Sequence, residues 1–117
     1  MNQEANKIFD NTNATKAYIN EIKDQIIDKQ ASSLFEYLKW IKLDGISSNK
    51  SDLFPIVTTG EGEKILLIHG FDSCFLEYRR LTPFLKKFNK LIIPDLYGFG
   101  FCPRSNGNKY GFKYLMK

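Results

Sequence analysis

From about Asn13 the apolar residues Tyr18, Ile19, Ile22, Ile26 and Ile27 recur at three- and four-residue intervals. That spacing predicts an amphipathic helix reaching about Lys29, with Thr12 or Asn13 as its cap. Before it, residues 1–12 are polar and asparagine-rich and read as a flexible terminus. Residues 34–43 fit two patterns: Leu34, Leu38 and Ile41 keep a helical period, while Phe35, Tyr37, Ile41 and Leu43 alternate with their neighbours as a short aromatic strand does. Asp44 to Asp52 is turn chemistry throughout, and Leu53 to Thr58 reads as a returning strand. Gly60-Glu61-Gly62 turns the chain again into an aliphatic run from Lys64 to His69 that is apolar on both faces, as a parallel strand covered by helices would be. Glu77 to Phe88 comes next as a helix with Tyr78, Leu81, Phe84, Leu85 and Phe88 on one side. Pro83 either kinks it or moves its start to about Thr82. Lys90 to Asp95 is the next strand, and Tyr110 opens a further helix. Strand, crossover helix and strand in this order make a right-handed βαβ unit.

A chain of 117 residues, 43% hydrophobic, has enough apolar material for one modest core and too little length for a second domain. Charge is uneven: residues 1–60 carry 7 Lys/Arg against 8 Asp/Glu and residues 61–117 carry 10 against 5, so the +4 total is all in the second half. Since those cations fall on the outer faces of predicted helices and no nucleic-acid module accompanies them, they read as a solvated surface; neither nucleic acid nor membrane is expected as a partner. Cys74 and Cys102 have neither metal-ligand spacing nor a disulfide framework. With no apolar run of signal-peptide length in the first thirty residues, the expected setting is cytoplasmic and reducing.

Residues 60–103 then carry a more specific pattern. An apolar strand ends in His69-Gly70-Phe71, a charged segment contains Glu77, Arg79, Arg80 and Leu81, and a second apolar strand ends in Pro94-Asp95-Leu96 before Gly98-Phe99-Gly100. Together these resemble the front half of an α/β-hydrolase. The resemblance implies an α/β fold: the N-terminal part of a hydrolase sheet, about four strands in spatial order 1-2-4-3 with one βαβ crossover, preceded by an amphipathic helix. It favours the strand for the later part of residues 34–43. The implied organisation is a flexible stretch 1–12, a helical segment 13–33 and a truncated hydrolase-like domain 34–117. A complete domain of this kind needs roughly 250 residues.

In such hydrolases the nucleophile stands on a Gly-x-Ser-x-Gly elbow, followed by an acid and a histidine. No such pentapeptide occurs in the 117 residues, and the single histidine, His69, precedes the position a catalytic base would occupy. The resemblance makes Phe71 the residue whose backbone N–H supplies one of two oxyanion donors, with Gly70 and His69 shaping the loop. His69 is expected to bond local backbone, and Phe71 to pack its ring inward. Asp95 is expected to stabilise the loop after its strand, and Asp72 and Glu77 to be solvated or capping residues. A thiol nucleophile at Cys74 or Cys102 has only His69 to activate it, and small buried thiols are the commoner outcome. Gly60-Glu61-Gly62 precedes a strand instead of following one, which argues against a phosphate-binding loop, and no cofactor or metal is expected.

The expected function is that of a serine-hydrolase fragment, esterase-like, which lacks nucleophile, acid and base and is inactive alone; an ester-like substrate belongs only to a complete homologue. The alternative is a non-catalytic relative or small partner-binding module. On the fragment reading the implied strand order leaves the strand from Lys64 at the end of the sheet, where the run Ile65 to Ile68 presents an uncharged aliphatic edge capable of self-association.

Overall fold

The computed structural model describes residues 11–43 and 53–103. In chain order its elements are α1 (Thr12–Ile22), a 3₁₀ turn (Lys23–Gln25), α2 (Lys29–Glu36), β1 (Leu38–Ile41), β2 (Phe54–Thr59) and β3 (Glu63–Leu66), then a 3₁₀ turn (Phe75–Tyr78), α3 (Thr82–Leu85) and β4 (Asn89–Pro94). The strands form one sheet in the order β1-β2-β4-β3, as the resemblance implied. β1 pairs antiparallel with β2 and β2 with β4, while β3 lies parallel to β4 at the edge.

The helix expected from Asn13 to Lys29 stops at Ile22, and a second helix starts only at Lys29. Asn11, not Thr12 or Asn13, caps α1 by accepting the Ala14 N–H through Oδ1 at 2.8 Å. Thr12 is buried and exchanges hydrogen bonds with the Leu53 backbone, which ties the helix start to the start of β2. The chain leaves the α1 axis after Ile22, so the apolar period has no hold on the residues beyond it, and Ile27 is 95% exposed. Asp28 restarts the helix: its Oδ1 accepts from Gln30 N–H (2.9 Å) and Ala31 N–H (3.3 Å), satisfying two donors that the first turn leaves unpaired. α2 in turn delivers Leu34, 1% exposed, into the core.

The helix expected over Glu77–Phe88 is also interrupted. Pro83 has no N–H and its ring excludes the carbonyl four residues earlier, so no continuous helix passes through it. The chain instead makes the 3₁₀ turn, breaks, and restarts at Thr82 with Pro83 in the first turn. Without an unbroken 3.6-residue repeat the presumed inner face splits. Tyr78 and Leu85 pack on the core, whereas Leu81, Phe84 and Phe88 are exposed.

The core is a cluster of Leu34, Val57, Phe75, Leu91 and Ile93, flanked by Phe35, Leu38, Ile65, Leu67 and Phe101. Burial of each such side chain is worth about 1.5–3 kcal/mol, so this one cluster dominates the favourable side of folding. The paired positions Leu38, Val57 and Ile93 lie on one sheet face, and α2 and the Phe75 turn supply the layer against it. The turn between β2 and β3 is pressed against the α3–β4 junction: a Cβ at Gly60, where φ is +87°, would stand 2.1 Å from the Asn89 carbonyl oxygen. The segment around Tyr110 lies outside the described residues.

Candidate functional site

β3 and β4 run parallel, so the loops leaving their carboxyl ends emerge side by side. β3 ends at Leu66, three residues before the expected end at His69; the chain keeps one more ladder bond, Leu67 N–H to Ile92 C=O at 2.9 Å, and then turns inward at His69. His69 is 3% exposed and both ring nitrogens are engaged. Nε2 lies 2.9 Å from the Leu96 N–H and therefore accepts, which leaves Nδ1 to donate to the Gly70 carbonyl at 2.7 Å. One imidazole thus fastens the β3 loop to the β4 loop. With its only lone pair committed to Leu96, it is a structural link and has no free base nitrogen.

That bond also sets the direction of the next donor. The Gly70 carbonyl points at the His69 ring, and across a trans peptide the following N–H points the other way. The Phe71 N–H therefore faces outward, and it has no hydrogen-bond partner among the described residues. The neighbouring Gly70 N–H is not free, because Glu77 Oε2 accepts it at 3.0 Å. Glu77, expected as a solvated or capping residue, is thus a clamp on the loop. A local signal existed: one carboxylate at the start of the next turn, seven residues after Gly70, is within reach once that turn folds back. Asp72, with φ +57°, reverses the chain after Phe71. The Phe71 ring is 91% exposed, not packed inward, and meets Phe99 edge-on at 5.3 Å; His69 meets the same ring at 6.1 Å.

The β4 loop is held by Asp95, 5% exposed. Oδ1 accepts the Phe75 N–H at 2.6 Å and Oδ2 the Phe101 N–H at 2.7 Å, so one carboxylate joins the turn after the first loop to the end of the second. Such charge-assisted bonds suit a buried acid with a structural task. Gly100 makes the approach possible: a Cβ there would lie 2.4 Å from Asp95 Oδ2. Cys102 is buried and its Sγ donates to the Asp95 carbonyl at 3.3 Å. Cys74 is half-buried, and burial, reinforced by the charges of Asp95 and Glu77, pushes its thiol pKa up. A thiolate is disfavoured there, and His69 has no nitrogen left to generate one.

Arg79 and Arg80 follow the Phe75–Tyr78 turn and grip Asp28 across the molecule, Arg79 Nε at 3.1 Å and Arg80 Nη2 at 2.8 Å from Oδ2. Partial burial raises the Asp28 pKa, but the Ala31 N–H, Arg79, the Gln30 N–H and the charge of Arg80 outweigh it and hold the carboxyl below its ordinary range. This tie was not foreseen, since Asp28 lay inside the expected first helix.

The geometry meets known proteins in one place. Over 70 residues the chain is 33% identical to a 2-hydroxy-6-oxo-2,4-heptadienoate hydrolase of Pseudomonas putida, a match covering 57% of the chain and 23% of that protein. It is 34% identical to a solved meta-cleavage product hydrolase, CumD, with a TM-score of 0.54 over 66% of this chain and 27% of that one. The sheet has the fold of the N-terminal part of an α/β-hydrolase sheet. A cis-3-alkyl-4-alkyloxetan-2-one decarboxylase of Shewanella oneidensis is 29% identical over 60% of the chain and 21% of its own length. No family model matches. The chain spans about a quarter, or less, of these relatives' length.

Two cavities, about 250 and 300 Å³, lie beside α1 and α2; Phe35 lines both, and no residue of the β3 or β4 loops lines either. Among the described residues no group of three or more His, Cys, Asp or Glu side chains is placed to hold a metal ion, and no helix is long and apolar enough to cross a membrane.

Proposed function

We propose that the Phe71 N–H is an oxyanion donor for a carbonyl substrate of ester-like or carbon–carbon type, in a serine-hydrolase reaction that this 117-residue chain does not complete by itself. The observation that carries the reading is the contrast between adjacent amides: Gly70 N–H is held by Glu77, while Phe71 N–H faces outward from a loop fixed on both sides. A donor of this kind is useful when it is fixed before charge develops, because no reorganisation is then needed in the transition state. His69 supplies the fixing and Glu77 limits the choice of donor. The names of the relatives, a heptadienoate hydrolase and a meta-cleavage product hydrolase, support a hydrolytic setting.

One donor contributes only about 10²–10³-fold even in an intact site, and the chain holds no Gly-x-Ser-x-Gly elbow. Purified protein is therefore expected to show no saturable hydrolysis of short p-nitrophenyl esters. Amide NMR tests the donor separately: titration with acetate, a mimic of the oxyanion, moves the Phe71 amide resonance more than that of Gly70. Saturable turnover abolished by Cys74→Ala or Cys102→Ala would overturn the inactive reading, and a response confined to Gly70 would overturn the donor.

A further inference from the structure

The cleft between α1 and β1 is built unlike an ordinary helix–sheet contact. Lys16, Ile19, Asn20 and Lys23 recur at helical spacing and line it from one side, while Leu38 and Trp40, two residues apart and so on one strand face, line it from the other. A helix seals against a sheet through an apolar stripe, and of those four positions only Ile19 is apolar. A cavity of about 300 Å³ remains, with Phe35 of α2 also in its wall. The Phe35 ring is fixed from behind, edge-on to Phe75 at 5.4 Å and to Phe101 at 5.6 Å. Lys16 is half-buried, and its ammonium stands 5.5 Å from the centroid of the Trp40 ring. A cation over a ring face keeps N–H donors for another partner. Among the described residues no carboxylate lies within ion-pair distance of Lys16 or Lys23. The acids Asp24 and Glu36 line the adjoining cavity, which shares Lys23 and Phe35 with this one and does not include Lys16. Lys16 stands two helical turns before Lys23, about 10 Å along the axis, so the cleft is most positive at its Lys16 end.

We propose that this cleft binds a small aromatic carboxylate, its ring against Phe35, Leu38 and Trp40 and its carboxylate on the Lys16 ammonium. Size fits a single ring with a short acidic arm: an apolar cavity of about 150 Å³ takes up benzene, and this one is about twice as large. An apolar, partly aromatic wall with one well-placed polar group is the usual make-up of a small-molecule site. Charge fixes the orientation, because an anion turned toward the other end would meet Asp24 and Glu36. No residue of the β3 or β4 loops lines the cleft, so binding here is independent of the Phe71 N–H.

Trp40 is the only tryptophan of the chain, so its indole N–H gives a single NMR resonance at the site. Titration of the full chain with phenylacetate is expected to move that resonance saturably, with a Kd on the order of 1–10 mM for a ligand of this size. The uncharged 2-phenylethanol is expected to bind about fivefold more weakly, the worth of one charge pair at about 4 Å in water. Lys16→Gln removes the charge and keeps a good helix former, so phenylacetate falls to the level of 2-phenylethanol, whose own shift persists and shows the cleft intact. Lys23→Gln, beside Asp24 and Glu36, weakens phenylacetate less than Lys16→Gln does. Salt gives a reading that needs no substitution: at 1 M, where the screening length is about 3 Å, the preference for phenylacetate shrinks in the unmodified chain. A Trp40 resonance that does not saturate, equal affinity for the two ligands, a preference that survives 1 M salt, or a Lys16→Gln protein that still favours phenylacetate would each overturn the proposal.

Discussion

The loops after β3 and β4 leave the same end of the sheet, yet one is held from within and the other from outside. After β4 the Asp95 carboxylate, almost wholly buried, takes one N–H on each oxygen, and Gly100 lets the chain close over it. After β3 the hold is a buried imidazole on one side and the exposed Glu77 on the other, with Arg79 and Arg80 anchoring the following turn to Asp28. The Asp95 carboxylate draws the Phe75 and Phe101 N–H groups inward. The loop clamped at its rim turns the Phe71 N–H outward beside a Gly70 N–H that Glu77 holds, as a binding loop must.

The inner hold is most vulnerable at Asp95. Asp95→Ala removes two charge-assisted bonds and strands the Phe75 and Phe101 N–H groups, so it is expected to cost about 3–5 kcal/mol in urea unfolding, a large share of a small domain's stability. A loss below about 1 kcal/mol would mean that this carboxylate is not what fixes the second loop.

A smaller effect is expected from acid at the rim. The folded Asp28 carboxyl titrates below its ordinary range, so its contribution is complete above the unfolded value of about 3.9 and is lost as pH falls through the lower folded value. Wild type is therefore more stable than Asp28→Asn at neutral pH, and the gap between their urea midpoints narrows on acidification below about pH 4. A gap independent of pH would show that the arginines grip the side chain without using its charge.

The smallest effect separates side chain from backbone at the rim. Phe71→Ala trims a ring that is 91% exposed and leaves the N–H in place. Stability should change by no more than about 0.5 kcal/mol, and the response of the residue 71 amide to acetate should persist. Loss of that response would assign the binding to the aromatic ring and not to the backbone.

Much of this was legible in the chain. The His69-Gly70-Phe71 and Pro94-Asp95 strand ends, the turn at Gly60-Glu61-Gly62 and the strand order follow from local pattern and from the resemblance those motifs carry. Pro83 announced its own break, because a missing N–H acts wherever the residue stands. The two helix misreadings share one cause. Ile26 and Ile27 extended the first apolar period, and Leu81, Phe84 and Phe88 completed the second, but a period marks a face only while the helix runs unbroken.

Sequence alone therefore settles local matters: which segments are extended, where proline and glycine interrupt them, and that an α/β-hydrolase strand–loop–turn–strand unit is present. Only the tertiary structure decided which carboxylate holds which amide or guanidinium. Glu77 meets Gly70, Asp28 meets Arg79 and Arg80, and Asp95 meets Phe75 across separations of 7, 51, 52 and 20 residues. No spacing rule links residues so far apart. Their meeting depends on how the strands order themselves and how the layer above them packs, and that arrangement turns the Phe71 N–H outward.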